Sequence, residues 1–487
     1  MLQRLAPHVV MGFYFYPRGG SAQVARYLCR ALHRTGVKTT LFAGSVGDRA
    51  DTSNAHRFFR GVPCRSLDYT PARSAWRQGA DPMAGPAPMH ASYEQKPGVP
   101  DRIFFGLDDA AFDRQVASWF RFFGSHNSGC PDVVHLHHLT PMHEAVRAVW
   151  PGVPVVTHLH GTELKMLTSV RDGTCESDPL VVRPWVDRMR RWAGDSDRLV
   201  VVSDHDHQLV RRLLPVDEAC IHTIGNGVDT EVFAARVRPP AERLGLWRRL
   251  LVDDPRGWRP GHPAGSVRYS VDDLASFVGA DGRPVPVVLF AGRFMQFKRL
   301  QLLIEAHHAK RSTTSNRSVL VIVGGFPGEW EGEHPYDTVR RLGAEDVFFI
   351  GWRDHDDFAD ILTCSDVFAA PAVDEPFGLV YLEAMAAGIP PIATRSGGPL
   401  SFINVDPDRP TGWLVSPDDV AATTRALIEA VSDRITLAER GRCAVEFVRR
   451  NYSWNTSADA FARLYGELID ERESFGVQPE RLMRGVA

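Results

Sequence analysis

The sequence predicts an α/β protein made of two Rossmann-like, doubly wound domains that face each other across a cleft. Three observations carry that expectation. The run His8–Tyr16 is β-rich and passes through Pro17, Arg18, Gly19 and Gly20 into an amphipathic helix to about Thr35 and a second strand near Lys38–Phe42, the strand, turn, helix, strand order that opens a parallel sheet. The same order restarts at Pro286, where an apolar strand enters the loop Gly292–Arg299 and then a helix Leu300–Lys310. Finally, 487 residues exceed one ordinary core, so each half buries its own apolar interior.

Composition narrows the function. A hydrophobic content of 44% with 24% charged residues is that of a globular protein. The charge balance, 56 − 59 = −3, supplies no electrostatic footprint for nucleic acid. Seven cysteines without a Cys-x-x-Cys pair indicate neither a disulfide framework nor a zinc site and fit a reducing cytoplasm. No apolar run reaches the length of a transmembrane segment.

Taken in order, the first strand and helix are followed by a stretch of blurred pattern, read as an insertion over about 46–130. It has a mobile loop near Gly79–Pro100 and an aromatic helix Asp109–Phe123. Asp132–His138 and Pro154–His160 are the next strands. His135 shares a strand face with His137, and His158 with His160, but no cysteine or carboxylate spacing completes a metal site and none is expected. Val182–Gly194 carries Trp185, Met189 and Trp192 at helical spacing beside four arginines. Such a basic helix is able to make a peripheral membrane contact, yet the buried strand Arg198–Ser203 directly after it favours a core-facing helix. The first domain closes in the Gly-rich turn Ile224–Asp229. The expected boundaries are 1–233 for the first domain, 234–284 for a linker and extension rich in Pro, Arg and Trp, 285–454 for the second domain, and 455–487 for a helix crossing back to the first.

The chemistry concentrates in the second half. Pro371–Thr394 reads as a loop turning at Glu375-Pro376, a helix entered at Gly378 and stopped by Gly388, and a strand. Backbone N–H groups around Phe377, Gly378, Leu379 and Val380 point out of that helix start, where the macrodipole favours an anion. Glu375 stands at the opening and Glu383 a turn inside, so a ligand with phosphate in its middle meets a carboxylate at each end. A sugar nucleotide has that shape. Arg293 and Lys298, five apart in the loop after the strand, offer a guanidinium fork and a point charge for the diphosphate without a metal. Trp352 and Arg353, after another strand end, either frame the nucleotide base or pack the loop.

The string Glu375-Pro-Phe-Gly to Glu383-Ala-Met-Ala-Ala-Gly388 and the Gly292-Arg293-x(4)-Lys298 loop resemble the retaining GT-B glycosyltransferases of the large family that contains sucrose synthases and many bacterial sugar transferases. The resemblance covers roughly 10–45, 131–233 and 285–470. It implies that Gly19 and Gly20 contact donor phosphate or acceptor, that His160 in the strand-end His-Gly-Thr-Glu reaches the donor sugar, and that Asn226 lies at the interdomain cleft. It also implies sugar transfer from a nucleoside diphosphate sugar, UDP-linked, to a small acceptor, with no metal and no other cofactor. Two other classes remain open on the same fold: a hydrolysing sugar-nucleotide 2-epimerase and a catalytically silent sugar-nucleotide-binding protein.

Overall fold

The computed structural model describes residues 6–94, 98–126 and 129–474. Part of the expected 79–100 loop and the tail of the C-terminal helix lie outside the described residues. The chain divides into two compact units, 1–226 with 454–487 and 227–453, each holding one all-parallel sheet.

The first sheet runs β3-β2-β1-β4-β5-β6-β7, with β1 His8–Phe13, β2 Lys38–Ser45, β3 Cys64–Asp68, β4 Val133–His137, β5 Val155–His158, β6 Arg198–Val201 and β7 Ile221–Thr223. Its central strands are nearly continuous β-branched runs such as Val133-Val134 and Val155-Val156, buried on both faces because helices cover both. The helix Pro179–Gly194 buries Trp185, Met189 and Trp192, so its apolar stripe serves the core. The helix Trp454–Ser474 belongs to this unit and buries Phe461 and Tyr465.

Two expectations are corrected here. The stretch read as an insertion supplies β3, which pairs in parallel with β2, and so extends the sheet. The loop expected to be mobile is instead packed inward: Met83, Met89, His90 and Ala91 are fully buried, and the Gln115 amide donates to the Met89 carbonyl at 2.6 Å. Single apolar residues spaced irregularly carry no periodicity, yet Gln115 of the helix Asp109–Ser125 meets Met83 and Met89, and His90 packs against Tyr14, Phe15 and Tyr69.

The second sheet runs β10-β9-β8-β11-β12-β13, with β8 Val287–Ala291, β9 Val319–Val323, β10 Val347–Gly351, β11 Val367–Ala369, β12 Pro391–Thr394 and β13 Trp413–Val415. The residues expected as a linker, 234–284, are part of this unit. They form the helix Pro240–Arg248 and then lie along edge strand β10. Tyr269 Oη accepts the Phe349 N–H at 2.9 Å, and Gly257 comes so close that a Cβ there would meet the Phe349 carbonyl at 2.4 Å. An open parallel edge invites pairing with another chain, and this segment covers it. The helix Arg434–Asn451, absent from the sequence expectation, follows Val420–Ser432.

Candidate active site

In open α/β sheets ligands bind outside the carboxyl ends of the strands, and the sequence-predicted residues of the second unit collect there. The loop after β8 makes a short turn over Gln296–Lys298 and enters its helix at Arg299, in the left-handed region with φ 51°. That turn delivers Lys298 to the loop after β11, where its Nζ donates to Glu375 Oε2. Both side chains are mostly buried, 13% and 12% exposed, so the pair lies where water screens it little. Arg293 is half-buried in the same loop.

The Glu375 loop is held by backbone packing. Asp374 has φ 53° and Gly378 φ 93°, and Gly398 N–H donates to the Glu375 carbonyl at 2.7 Å. A Cβ on Gly397 would fall 2.5 Å from the Glu375 carbonyl, and one on Gly398 2.5 Å from Phe377 Cα. Two glycines are thus required for the loop after β12 to pass behind the loop carrying Glu375. The helix Leu379–Ala386 starts at Gly378 with no side-chain cap, which leaves its first N–H groups to a ligand. Glu383, 8% exposed, accepts a hydrogen bond from His355 Nε2 at 3.1 Å, and the His355 ring packs edge-on against Phe233 at 4.8 Å. His355 is a site residue that no sequence signal marked: it lies 28 positions from its partner.

Trp352 stays exposed, its ring 5.8 Å from Phe326. Arg353 is corrected. Its guanidinium is fully enclosed and donates to the Ile350 and Leu250 carbonyls at 3.0 Å each and to the Asp254 carbonyl and carboxylate at 2.6 Å each. It ties the 234–284 segment to the sheet, and its side chain, 0% exposed, is closed off from a base.

In the first unit, Gly19 and Gly20 are exposed at the start of the helix Gly19–Arg34, and Gly19 has φ 73°. Beside them Arg18 donates to Asp101 Oδ2 at 2.7 Å and to Tyr16 Oη at 2.9 Å. His160 lies just past β5, followed by Gly161 at φ 86° and the helix Thr162–Arg171. Its backbone N–H donates to Glu163 Oε1 at 3.1 Å, while Glu163 Oε2 meets His138 Nδ1 at 3.1 Å. Glu163 is fully buried and fixes the turn that presents His160. Burial first, and then the adjacent His158, His138 and His137, push the His160 pKa well below its usual value, so the ring is neutral at pH 7. Asn226, 5% exposed, ends the unit, next to Gly225, whose carbonyl accepts from Ser457 Oγ at 2.8 Å.

Each unit is built on one parallel sheet, and the second carries at its edge an uncapped helix start, a Lys/Arg loop and two carboxylates, an arrangement that suits a sugar-transferring enzyme of the GT-B fold. The profile for Glycosyltransferase Family 4 matches residues 18–232 and that for Glycosyl transferases group 1 matches 278–445. A D-inositol 3-phosphate glycosyltransferase of Saccharomonospora viridis is 30% identical over 350 residues, 70% of this chain and 71% of that protein. One of Corynebacterium diphtheriae is 33% identical over 185 residues, 37% of this chain and 42% of that protein. The crystal structure of Anabaena HepE in complex with UDP-glucose superposes with a TM-score of 0.63 at 16% identity, covering 94% of this chain and 99% of that one. The chain belongs to the family 4, group 1 glycosyltransferases. Among the described residues no helix is long and apolar enough to cross a membrane.

Proposed function

We propose that the protein transfers a hexosyl or N-acetylhexosaminyl group from a UDP-sugar to a hydroxyl of a small polar acceptor, with retention and without a divalent metal. The Lys298–Glu375 pair beside the uncapped start of the helix Leu379–Ala386 carries this reading. It holds a cation for the diphosphate and a carboxylate for a sugar hydroxyl within one hydrogen bond of each other. HepE, whose crystal structure is in complex with UDP-glucose, supports the donor class, and the relatives' names make an inositol phosphate the first acceptor to try.

In this mechanism the donor's β-phosphate enters between Arg293, Lys298 and the helix N–H groups. Lys298 transfers its hydrogen bond from Glu375 to phosphate, and the released carboxylate accepts from a sugar hydroxyl. The anomeric C–O bond to phosphate breaks, the acceptor oxygen bonds to the same face of the anomeric carbon, and the acceptor proton leaves with the phosphate oxygen. Negative charge growing on the diphosphate is met by fixed cations and dipoles, which act most strongly where water is excluded. Neutral His160 holds a sugar hydroxyl, Glu383 the ribose, and Trp352 stays beside the base. A cytoplasmic setting belongs to the same reading and rests on the seven unpaired thiols.

The test is a thermal-shift screen of nucleoside diphosphate sugars, since selective stabilisation scales with ligand over Kd, followed by NMR of the product's anomeric configuration. Selective stabilisation by UDP-sugars and a retained configuration are expected. Inversion, product formed without acceptor, or activity lost to EDTA and restored by magnesium or manganese would overturn the respective parts.

A further inference from the structure

The spacing of the two His-x-His pairs looks incomplete as a metal set because its third member comes from the neighbouring strand. His135 and His137 point to one face of β4, and His158 sits directly across from His137 in the β4–β5 register. All three rings are buried, at 0%, 0% and 1% exposure, and one ring nitrogen of each lies within 4.8 Å of the others. Phe461 of the helix Trp454–Ser474 closes over them, with its ring 5.1 Å from His135 and 5.2 Å from His158. Four nitrogens there, Nε2 of His135, Nε2 of His137 and both of His158, have no hydrogen-bond partner among the described residues. Buried polar atoms are satisfied in nearly all cases, so orphans converging on one point call for an occupant.

The remaining nitrogens are arranged as ligand supports. His135 Nδ1 meets Tyr465 Oη at 2.5 Å, and His137 Nδ1 meets His160 Nε2 at 2.9 Å. If each Nδ1 donates, both Nε2 lone pairs face the gap, the tautomer a metal requires and the outer hydrogen bond that holds a ligating imidazole in place. Metal–nitrogen bonds of about 2.0–2.1 Å would draw each ring inward by about an ångström or less.

We propose that His135, His137 and His158 form a buried site for one imidazole-favouring transition-metal ion of the zinc class, pinning β4 to β5 beneath the helix Trp454–Ser474. A nitrogen-only set excludes magnesium and calcium, which take oxygen. Glu163, bonded to His138 and to the His160 backbone in the same cluster, supplies negative charge nearby. The ion takes no part in sugar transfer. It fixes the His137 tautomer and, through it, the His160 ring.

The experiment uses the full chain without an affinity tag, refolded with zinc or cobalt(II), passed over a desalting column and measured by plasma mass spectrometry and X-ray absorption. About one equivalent per chain, with a first shell of about three imidazole nitrogens, is expected. His158→Phe should lose the metal while keeping the circular dichroism of the native chain. If that variant does not fold, the X-ray absorption of the native chain decides alone: fewer than about 0.2 equivalents, or a shell dominated by oxygen or sulfur, overturns the proposal. Undiminished metal in folded His158→Phe overturns it equally.

Discussion

The two sheets end in different chemistry. Past β5 the carboxyl edge carries His160, whose charged form burial suppresses. Past β8 and β11 it carries Arg293, Lys298 and Glu375, with Lys298 and Glu375 held together as an ion pair. Neutral imidazoles suit uncharged hydroxyls, because they donate and accept without a net charge to desolvate. Fixed cations and an open helix start suit a diphosphate. In the proposed mechanism each unit's edge takes one part of the reaction, and each responds to a different perturbation.

Acid gives the largest contrast. In the first unit His90 and His143 are pushed down to about 4 and His135 to about 3 by burial, with His137, His158 and His160 also lowered. The second unit has His307 at about 3 and His334 at about 4. Unfolded histidine binds its proton near pH 6.5, whereas these do not until well below that. The unfolded state therefore gains protons first, and stability falls as pH drops from about 6.5 toward 4. At pH 5 each such histidine costs about 2 kcal/mol, so hydrogen exchange should show the first unit opening before the second. Equal protection in both, or earlier opening of the second, would remove the contrast.

A smaller but sharper effect belongs to the ion pair. If Lys298 meets the leaving diphosphate as proposed, donor kcat/KM of Lys298→Ala should fall by about 10²–10³-fold. A loss under tenfold would mean that Lys298 serves the loop and not the phosphate.

Most of this architecture was legible in the sequence because its signals are local. Buried β-branched runs, glycines at turns and the five-residue spacing of Arg293 and Lys298 all lie within one strand-turn-helix unit. What was illegible depends on distant partners. Arg353 follows a strand end like a ligand-binding residue, but Asp254 and Leu250, which occupy it, lie 99 and 103 positions away. β3 was missed because Cys64–Asp68 is half-exposed and lacks a strong apolar pattern. That Gly397 and Gly398 make room for the Glu375 loop shows only in the packing.

The two carboxylates of the second unit separate most finely. Glu375 shares its hydrogen bond with Lys298, and in the proposed mechanism it exchanges that partner for a sugar hydroxyl on donor entry. Glu375→Gln keeps the shape but weakens a charged hydrogen bond worth about 1.5–3 kcal/mol, and kcat should fall by about tenfold or more while free UDP binds nearly as before. Glu383 is bound by His355 and in the same proposal holds the ribose, a contact made equally before and during transfer. Glu383→Gln should therefore raise the donor KM and the Kd of free UDP together by about two- to tenfold at nearly constant kcat. His355→Ala should shift the same two constants by less, since it acts on them by orienting the carboxylate. Calorimetry with UDP and steady-state kinetics on the three variants distinguish the roles. Indistinguishable Glu375→Gln and Glu383→Gln enzymes would show that sugar and ribose are not divided between these two residues.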